Sequence, residues 1–190
     1  MKIPFVAILI LLGIGNSAGL AQEKAKNTII LGEGYEKGQV SVKKLGFLVP
    51  DGWALDKEAA DKTGIYAVIL PRGKKLETTN KAITIAFQKK DPNKPGLDSL
   101  SNFFKVDMQN TMGQFPDMQA ARWQPSRFDP DKIDFMSIEI FGKKKDQPSP
   151  QHVLMIDAGD GYFSITLTAE DLKELRQAQY EEFFNSIRLQ

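Results

Sequence analysis

The 190-residue chain contains no cysteine. That absence excludes disulfides, zinc–thiolate sites, iron–sulfur clusters and cysteine nucleophiles. It has a single histidine, His152, so a Ser–His or His–metal mechanism would have to be built on that residue. An excess of either charge is also missing: 25 Lys and Arg stand against 24 Asp and Glu. Neither a nucleic-acid binder nor a polybasic membrane binder is suggested by such a balance. A nucleic-acid binder needs a basic face with interleaved aromatics, whereas Lys43-Lys44, Lys74-Lys75, Lys89-Lys90 and the run at 143–145 mostly fall near strand ends and loops with acids scattered among them.

Long hydrophobic runs are scarce as well, and the one that exists is N-terminal. Met1-Lys2 supplies a positive charge, residues 3–14 are almost wholly aliphatic, and Asn16-Ser17-Ala18-Gly19-Leu20-Ala21 is small or weakly polar. This is the order of a secretory signal peptide, with cleavage expected after Ala21 or after Ala18. An uncleaved anchor is the alternative, but about 12 aliphatic residues fall short of the roughly 20 that a spanning helix needs. With no lipid-attachment cysteine, a soluble periplasmic or secreted protein is expected, with no stable membrane anchor after cleavage. The leader holds one Lys and no acid, so its removal brings the charges to parity. The remaining chain suits one domain. We divide it into a signal peptide (1–21), an N-terminal extension or edge strand (22–37) and a single domain (38–190).

Thr28-Ile29-Ile30-Leu31 reads as a short edge strand. Gly32-Glu33-Gly34 follows it, but Lys37 stands where a dinucleotide fingerprint needs its third glycine, so a plain turn is expected. Residues 45–49 form the opening core strand and run into Pro50-Asp51-Gly52, which has turn chemistry; Trp53 then reads as a core plug at a sheet end, with a ligand platform as the alternative. Residues 54–62 fit a short helix or an extended excursion. Residues 65–70 are apolar on both faces. In 82–87, Ile83, Ile85 and Phe87 alternate with small Ala82, Thr84 and Ala86, which suits a sheet covered closely on its second face.

Leu97, Leu100, Phe104, Met108 and Met112 make the stripe of an amphipathic helix, capped by Asp98 or Ser99 and ended by Gly113. We read the stripe as core-facing, with a ligand groove as the alternative. Met136, Ile138 and Ile140 share one face of a later strand. Residues 153–156 and 162–167 form a hairpin around Asp157-Ala158-Gly159-Asp160-Gly161. Thr168-Ala169-Glu170-Asp171 has a capping-box pattern and opens a last helix, whose apolar face carries Leu172, Leu175, Phe183, Phe184 and Ile187.

Few residues point to chemistry. Arg122, Trp123 and Arg127 form a binding candidate, because Trp and Arg are enriched in interface hot spots; a half-buried edge-strand Trp is the alternative. Asp129, Asp131 and Asp134 resemble a calcium loop only in part, lacking its glycine and terminal glutamate, with Pro130 breaking the spacing. Asp157 and Asp160 can ligate a cation, yet the same residues suit a tight turn. His152 shares a face with Leu154 and Ile156 and reads as a half-buried structural histidine. No spacing singles out a carboxylate pair for hydrolysis. We therefore expect no catalytic residue, no cofactor and no metal.

The phrase Phe47-Leu48-Val49-Pro50-Asp51-Gly52-Trp53, the strands, mid-chain helix and hairpin after it, and a final helix ending Phe184-Asn185-Ser186-Ile187-Arg188 together resemble the family built on the fold of the photosystem II extrinsic protein PsbP. That family is similar in fold to a Ran-binding nuclear import factor and to bacterial envelope proteins of the DcrB type. The resemblance covers residues 38–190 and rests on packing motifs. It implies an α+β fold, an antiparallel β-sheet flanked by helices on both faces (an α/β/α sandwich), and a binding or assembly role. No functional residue carries over. The expected function is that of an exported, non-enzymatic binding or accessory protein of the cell envelope with a protein partner. A carrier of a small apolar ligand and a carboxylate-dependent hydrolase are the alternatives.

Overall fold

A computed structural model describes residues 28–31, 45–94, 96–115, 117–126, 133–142 and 149–189. The signal peptide, the glycines at 32 and 34, Arg127, Asp129, Asp131 and the lysines at 143–145 lie outside the described residues.

The Pro50-Asp51-Gly52 turn forms as its chemistry dictates. The Trp53 N–H donates to the Pro50 carbonyl at 3.1 Å, and Gly52 takes φ 79°. It joins two sheets, a role the sequence did not disclose. Before it, β2 (Leu45–Leu48) is the centre of a three-stranded antiparallel sheet, between β1 (Thr28–Leu31) and β10 (Arg188–Leu189). After it, β3 (Trp53–Leu55) is one edge of a seven-stranded sheet in which every neighbouring pair is antiparallel. Residues 45–49 open the core as expected, Leu45 and Phe47 being buried in its large cluster, but they do so from the small sheet, because the chain changes sheets at the turn.

The main sheet continues through β4 (Ala67–Pro71) and β5 (Ala82–Lys89), then β9 (Gly161–Thr168), β8 (Gln151–Asp157), β7 (Phe135–Gly142) and β6 (Met118–Ala121). The hairpin of β8 and β9 is the expected one, in the register Asp157↔Tyr162 to Gln151↔Thr168. Residues 54–62 resolve into β3 and α1 (Lys57–Thr63), which is capped by the Asp56 carboxylate on the Ala59 N–H and ended by Gly64 at φ 65°.

Helix α2 (Leu100–Gln114) starts at Ser99, whose hydroxyl accepts from the Asn102 N–H at 3.2 Å. It runs past Gly113 and is capped at Phe115, so the expected glycine stop is corrected. Asp171 caps α3 (Leu172–Leu175), its carboxylate accepting from the Glu174 N–H at 2.7 Å, while Glu174 accepts from the Glu170 N–H at 3.0 Å. The cap therefore lies at Asp171, three residues later than expected, and Glu174 reaches the N–H of Glu170, one residue before the cap, so the reciprocal box is not completed. The last helix is also broken: Gln177 is extended, and α4 (Ala178–Ser186) begins after it.

Strand alternation divides the core. On β8, Leu154 and Ile156 enter a large cluster with Ile83, Ile85, Phe163, Ile165, Leu167 and, from α4, Tyr180, Phe183 and Phe184. Leu45 and Phe47 of the small sheet join it, with the Phe47 ring edge-on to Phe183 at 5.6 Å. Val153 and Met155 instead join Met118 and Ile140, under Leu100, Phe103, Phe104, Met108 and Met112 of α2. Ala59 and Ala60 of α1 pack on Val68, Leu70 and Ala82. The small-residue side of β5 is covered only at its start, because Ala82 is buried and Ala86 is exposed. Burying each large apolar side chain stabilises the fold by about 1.5 to 3 kcal/mol before entropy is charged against it.

Candidate functional site

The site is built where β6 ends. Strand pairing with β7 stops at Ala121↔Glu139, and residues 122–125 continue without regular structure. The Trp123 carbonyl accepts the Ser137 hydroxyl at 2.6 Å, which holds this segment beside β7. Between the two lies a cleft of about 590 Å³, lined by Arg122, Trp123, Gln124, Ile133, Asp134, Phe135, Met136 and Ser137. Two of the three expected binding residues, Arg122 and Trp123, thus meet at one cleft. Arg127, the third, lies outside the described residues. Asp134 also lines the cleft, with its backbone carbonyl accepting from the Asp157 N–H at 2.9 Å.

Beneath Trp123 sits a buried polar network. His152 and Glu139 are directly opposite each other on β8 and β7, only 3% and 2% exposed. His152 is therefore wholly buried, not half-buried as expected. Its Nε2 lies 3.0 Å from Glu139 Oε2. Arg176, at the end of α3, forks onto the same carboxylate: Nε donates to Oε2 at 3.0 Å and Nη2 to Oε1. The break between α3 and α4 places Arg176 there. Forked, charge-assisted bonds of this kind are strong and directional.

The charges follow from that geometry. The Arg176 guanidinium, aided by His152, holds the Glu139 carboxyl below its ordinary range against the opposing effect of burial. An ionised carboxylate only accepts, so Nε2 of His152 carries the hydrogen. Burial pushes the His152 imidazole below its usual pKa, with Glu139 pulling the other way. The Trp123 indole lies flat on the imidazole, with centroids 3.9 Å apart and planes 11° apart, and Phe184 meets both rings edge-on. His152 is thus sealed from the cleft and paired from behind.

Other candidates resolve differently. The Asp157 carboxylate accepts from the Gly159 N–H at 2.7 Å, with Gly159 at φ 92°, and it is ion-paired with Lys90 at 2.7 Å. The turn reading holds there, and Lys90 occupies the place of a cation. Among the described residues no group of three or more His, Cys, Asp or Glu side chains is placed to hold a metal ion. Asp107 on α2 is the carboxyl whose pKa burial alone raises. It belongs to the helix over Val153 and Met155, whereas Glu139 lies with His152, so the two do not form a hydrolytic pair. Trp53 is 5% exposed and edge-on to Tyr180 at 5.6 Å, the core plug expected of it.

No family model and no curated protein matches this sequence. Among solved structures, the solution structure of cyanobacterial PsbP (CyanoP) from Synechocystis sp. PCC 6803 aligns with a TM-score of 0.52 at 14% identity, covering 91% of this chain and 98% of that one. The fold is PsbP-like. At that identity the PsbP-like likeness concerns the chain path and gives no residue a role. No helix among the described residues is long and apolar enough to cross a membrane.

Glu139 and Arg176 were not singled out by sequence reasoning. The available signal was a lone histidine on an apolar strand face, which needs a polar partner when buried. Nothing local says which acid supplies it, because Arg176 is 37 residues from Glu139 in the chain.

Proposed function

We propose that this is an exported, non-enzymatic binding or accessory protein of the cell envelope, recognising a protein partner through the cleft at Arg122 and Trp123. The observation that carries the reading is the division of labour at that cleft. An exposed Arg and a half-buried Trp, the residue types of interface hot spots, line an open surface beside the exposed Asp134, while His152 and Glu139 are paired with each other beneath it. The sole imidazole is covered by Trp123, and the Ser137 hydroxyl is spent on the Trp123 carbonyl. Neither is poised as a base or a nucleophile.

The same proposal includes cleavage of residues 1–21, a periplasmic or secreted location without a stable anchor or nucleic-acid partner, and the full α/β/α arrangement with helices on both faces of the sheet. The partition of β8 side chains between an α4 cluster and an α2 cluster supports that arrangement. The apolar-carrier alternative is weaker, because the Met-bearing stripe of α2 is used against Met118, Ile140, Val153 and Met155.

The test is photo-crosslinking in cells from a benzophenone amino acid placed at Arg122 or Gln124, with a control at exposed Asn93. A discrete protein adduct from the first two positions, absent at the control and lost with Trp123→Ala, supports recognition at this cleft. Adducts no different from the control overturn it. Fractionation with N-terminal sequencing checks export, and a mature protein still beginning at Met1 overturns that part.

A further inference from the structure

Residues 122–126 cross from the end of β6 towards α4 as a strap over the buried network. Its attachments among the described residues include the following. The Trp123 carbonyl accepts from Ser137, the Trp123 ring is held between His152 and Phe184, the Ser126 N–H donates to Glu181 Oε1 at 2.6 Å, and Asn185 Nδ2 donates to Ser126 Oγ at 3.3 Å. Arg122, Gln124 and Ser126 are exposed. One attachment is chemically switchable, because its other half is the only imidazole in the chain.

We propose that His152 is a pH-sensitive latch, and that protonation of its ring loosens the strap of residues 122–126 and opens the cleft beside Trp123. The inference concerns the regulation of the cleft and rests on the reading of that cleft as the binding site. The groups facing the ring are Glu139 from β7, Arg176 from the end of α3 and Glu181 from α4. The strap's own ionisable group, Arg122, is exposed, and the cross-strand neighbour on β9 is apolar Leu167. Among the described residues Glu139 is the only acid bonded to the ring, and Arg176 already forks onto it, so a new positive charge finds a carboxylate whose capacity is partly used.

Burial is the largest influence on this ring and favours its neutral form, while Glu139 and Glu181 oppose it and Arg176 reinforces it. A cation–π contact with the indole acts for the charged form but is the weaker effect for a group so deeply placed. The charged ring is relieved by water, and the half-buried Trp123 is the cover that must move to admit it. The strand partners of His152 are held by full ladders on both sides, so the strap gives way first.

Because the protein has one histidine, its ring proton signals follow protonation without ambiguity. The experiment records them by NMR from pH 8 to pH 4.5, together with amide exchange of Trp123, Gln124 and Ser126 and of Ile165 in the central strand β9. We expect strap protection to fall about tenfold or more with the same midpoint as the ring signal while Ile165 stays protected, as local opening requires. Unchanged strap protection through the ring titration overturns the latch, as does loss in step with Ile165. His152→Gln should make strap exchange flat across the range once intrinsic rates are divided out, and the wild-type comparison of midpoints decides the matter if that variant does not fold. Crosslinking that fails at every pH sinks the recognition reading but leaves the latch standing, so the two failures are separable.

Discussion

Trp53→Ala offers the sharpest test of how the two sheets are joined. Trp53 opens the edge strand β3 directly after the inter-sheet turn and is 5% exposed. Its ring stands at 85° to Tyr180 of α4, whose hydroxyl reaches Glu174 at 3.4 Å, while Glu174 also takes Lys81 at 2.7 Å. Removing the indole deletes the burial of a large aromatic and leaves a cavity between β3 and α4, a combination that costs about 3 to 5 kcal/mol. For a domain of this size each kcal/mol lowers Tm by about 2 to 4 °C, so a drop of roughly 6 to 20 °C is expected by calorimetry. A double-mutant cycle with Tyr180→Leu should return about 0.5 to 1.5 kcal/mol of coupling for the edge-on pair. Urea unfolding should show the same loss through its midpoint with little change in slope. A Tm within 2 °C or so of wild type would refute the reasoning, because a buried aromatic cannot be deleted at so small a cost.

Further predictions concern the buried network and one glycine. Glu139→Gln should destabilise by about 3 to 5 kcal/mol in urea titrations, because it removes the charge that Arg176 and His152 share, whereas Arg176→Ala should cost less since the Arg176 side chain is 60% exposed; the reverse order would refute the assignment. The Glu139 carboxyl is held below its ordinary value of 4.5, so the folded state binds its proton less readily than the unfolded chain. Its stabilising contribution is therefore complete above that value and lost as pH falls through the lowered one, and Glu139→Gln should flatten that limb of the stability profile. Gly161→Ala should destabilise by about 1 to 3 kcal/mol or more, since its Cβ would lie 2.7 Å from the Gln88 carbonyl oxygen and closer still to the Phe87 ring; an unchanged melting temperature would count against the tight β5–β9 pairing at that point.

Much of the local structure was legible along the chain. The hairpin of β8 and β9 follows from two alternating runs around Asp-Gly turn chemistry, and α2 from apolar residues at spacings of three and four after a serine cap. The helix ends were less legible. Gly113 lies one residue before the end of α2, and Glu174 draws the last cap to Asp171, because a cap is settled by which side chain reaches a free N–H and not by residue type alone. At the site, Arg122 and Trp123 could be marked by type. Their meaning could not, since the ring against Trp123 comes from another strand.

What the sequence determined by itself is therefore what depends on near neighbours: periodicity, turn chemistry, the lack of thiol chemistry, the balance of charge and the PsbP-like order of elements. Tertiary structure decided what depends on register and distance. It sent β2 to a separate sheet, placed Glu139 opposite His152, turned Arg176 back onto both and laid Trp123 over the imidazole. A one-residue slip between β7 and β8 would put Glu139 on the opposite sheet face from His152, and nothing local to either residue records which register the assembled core selects.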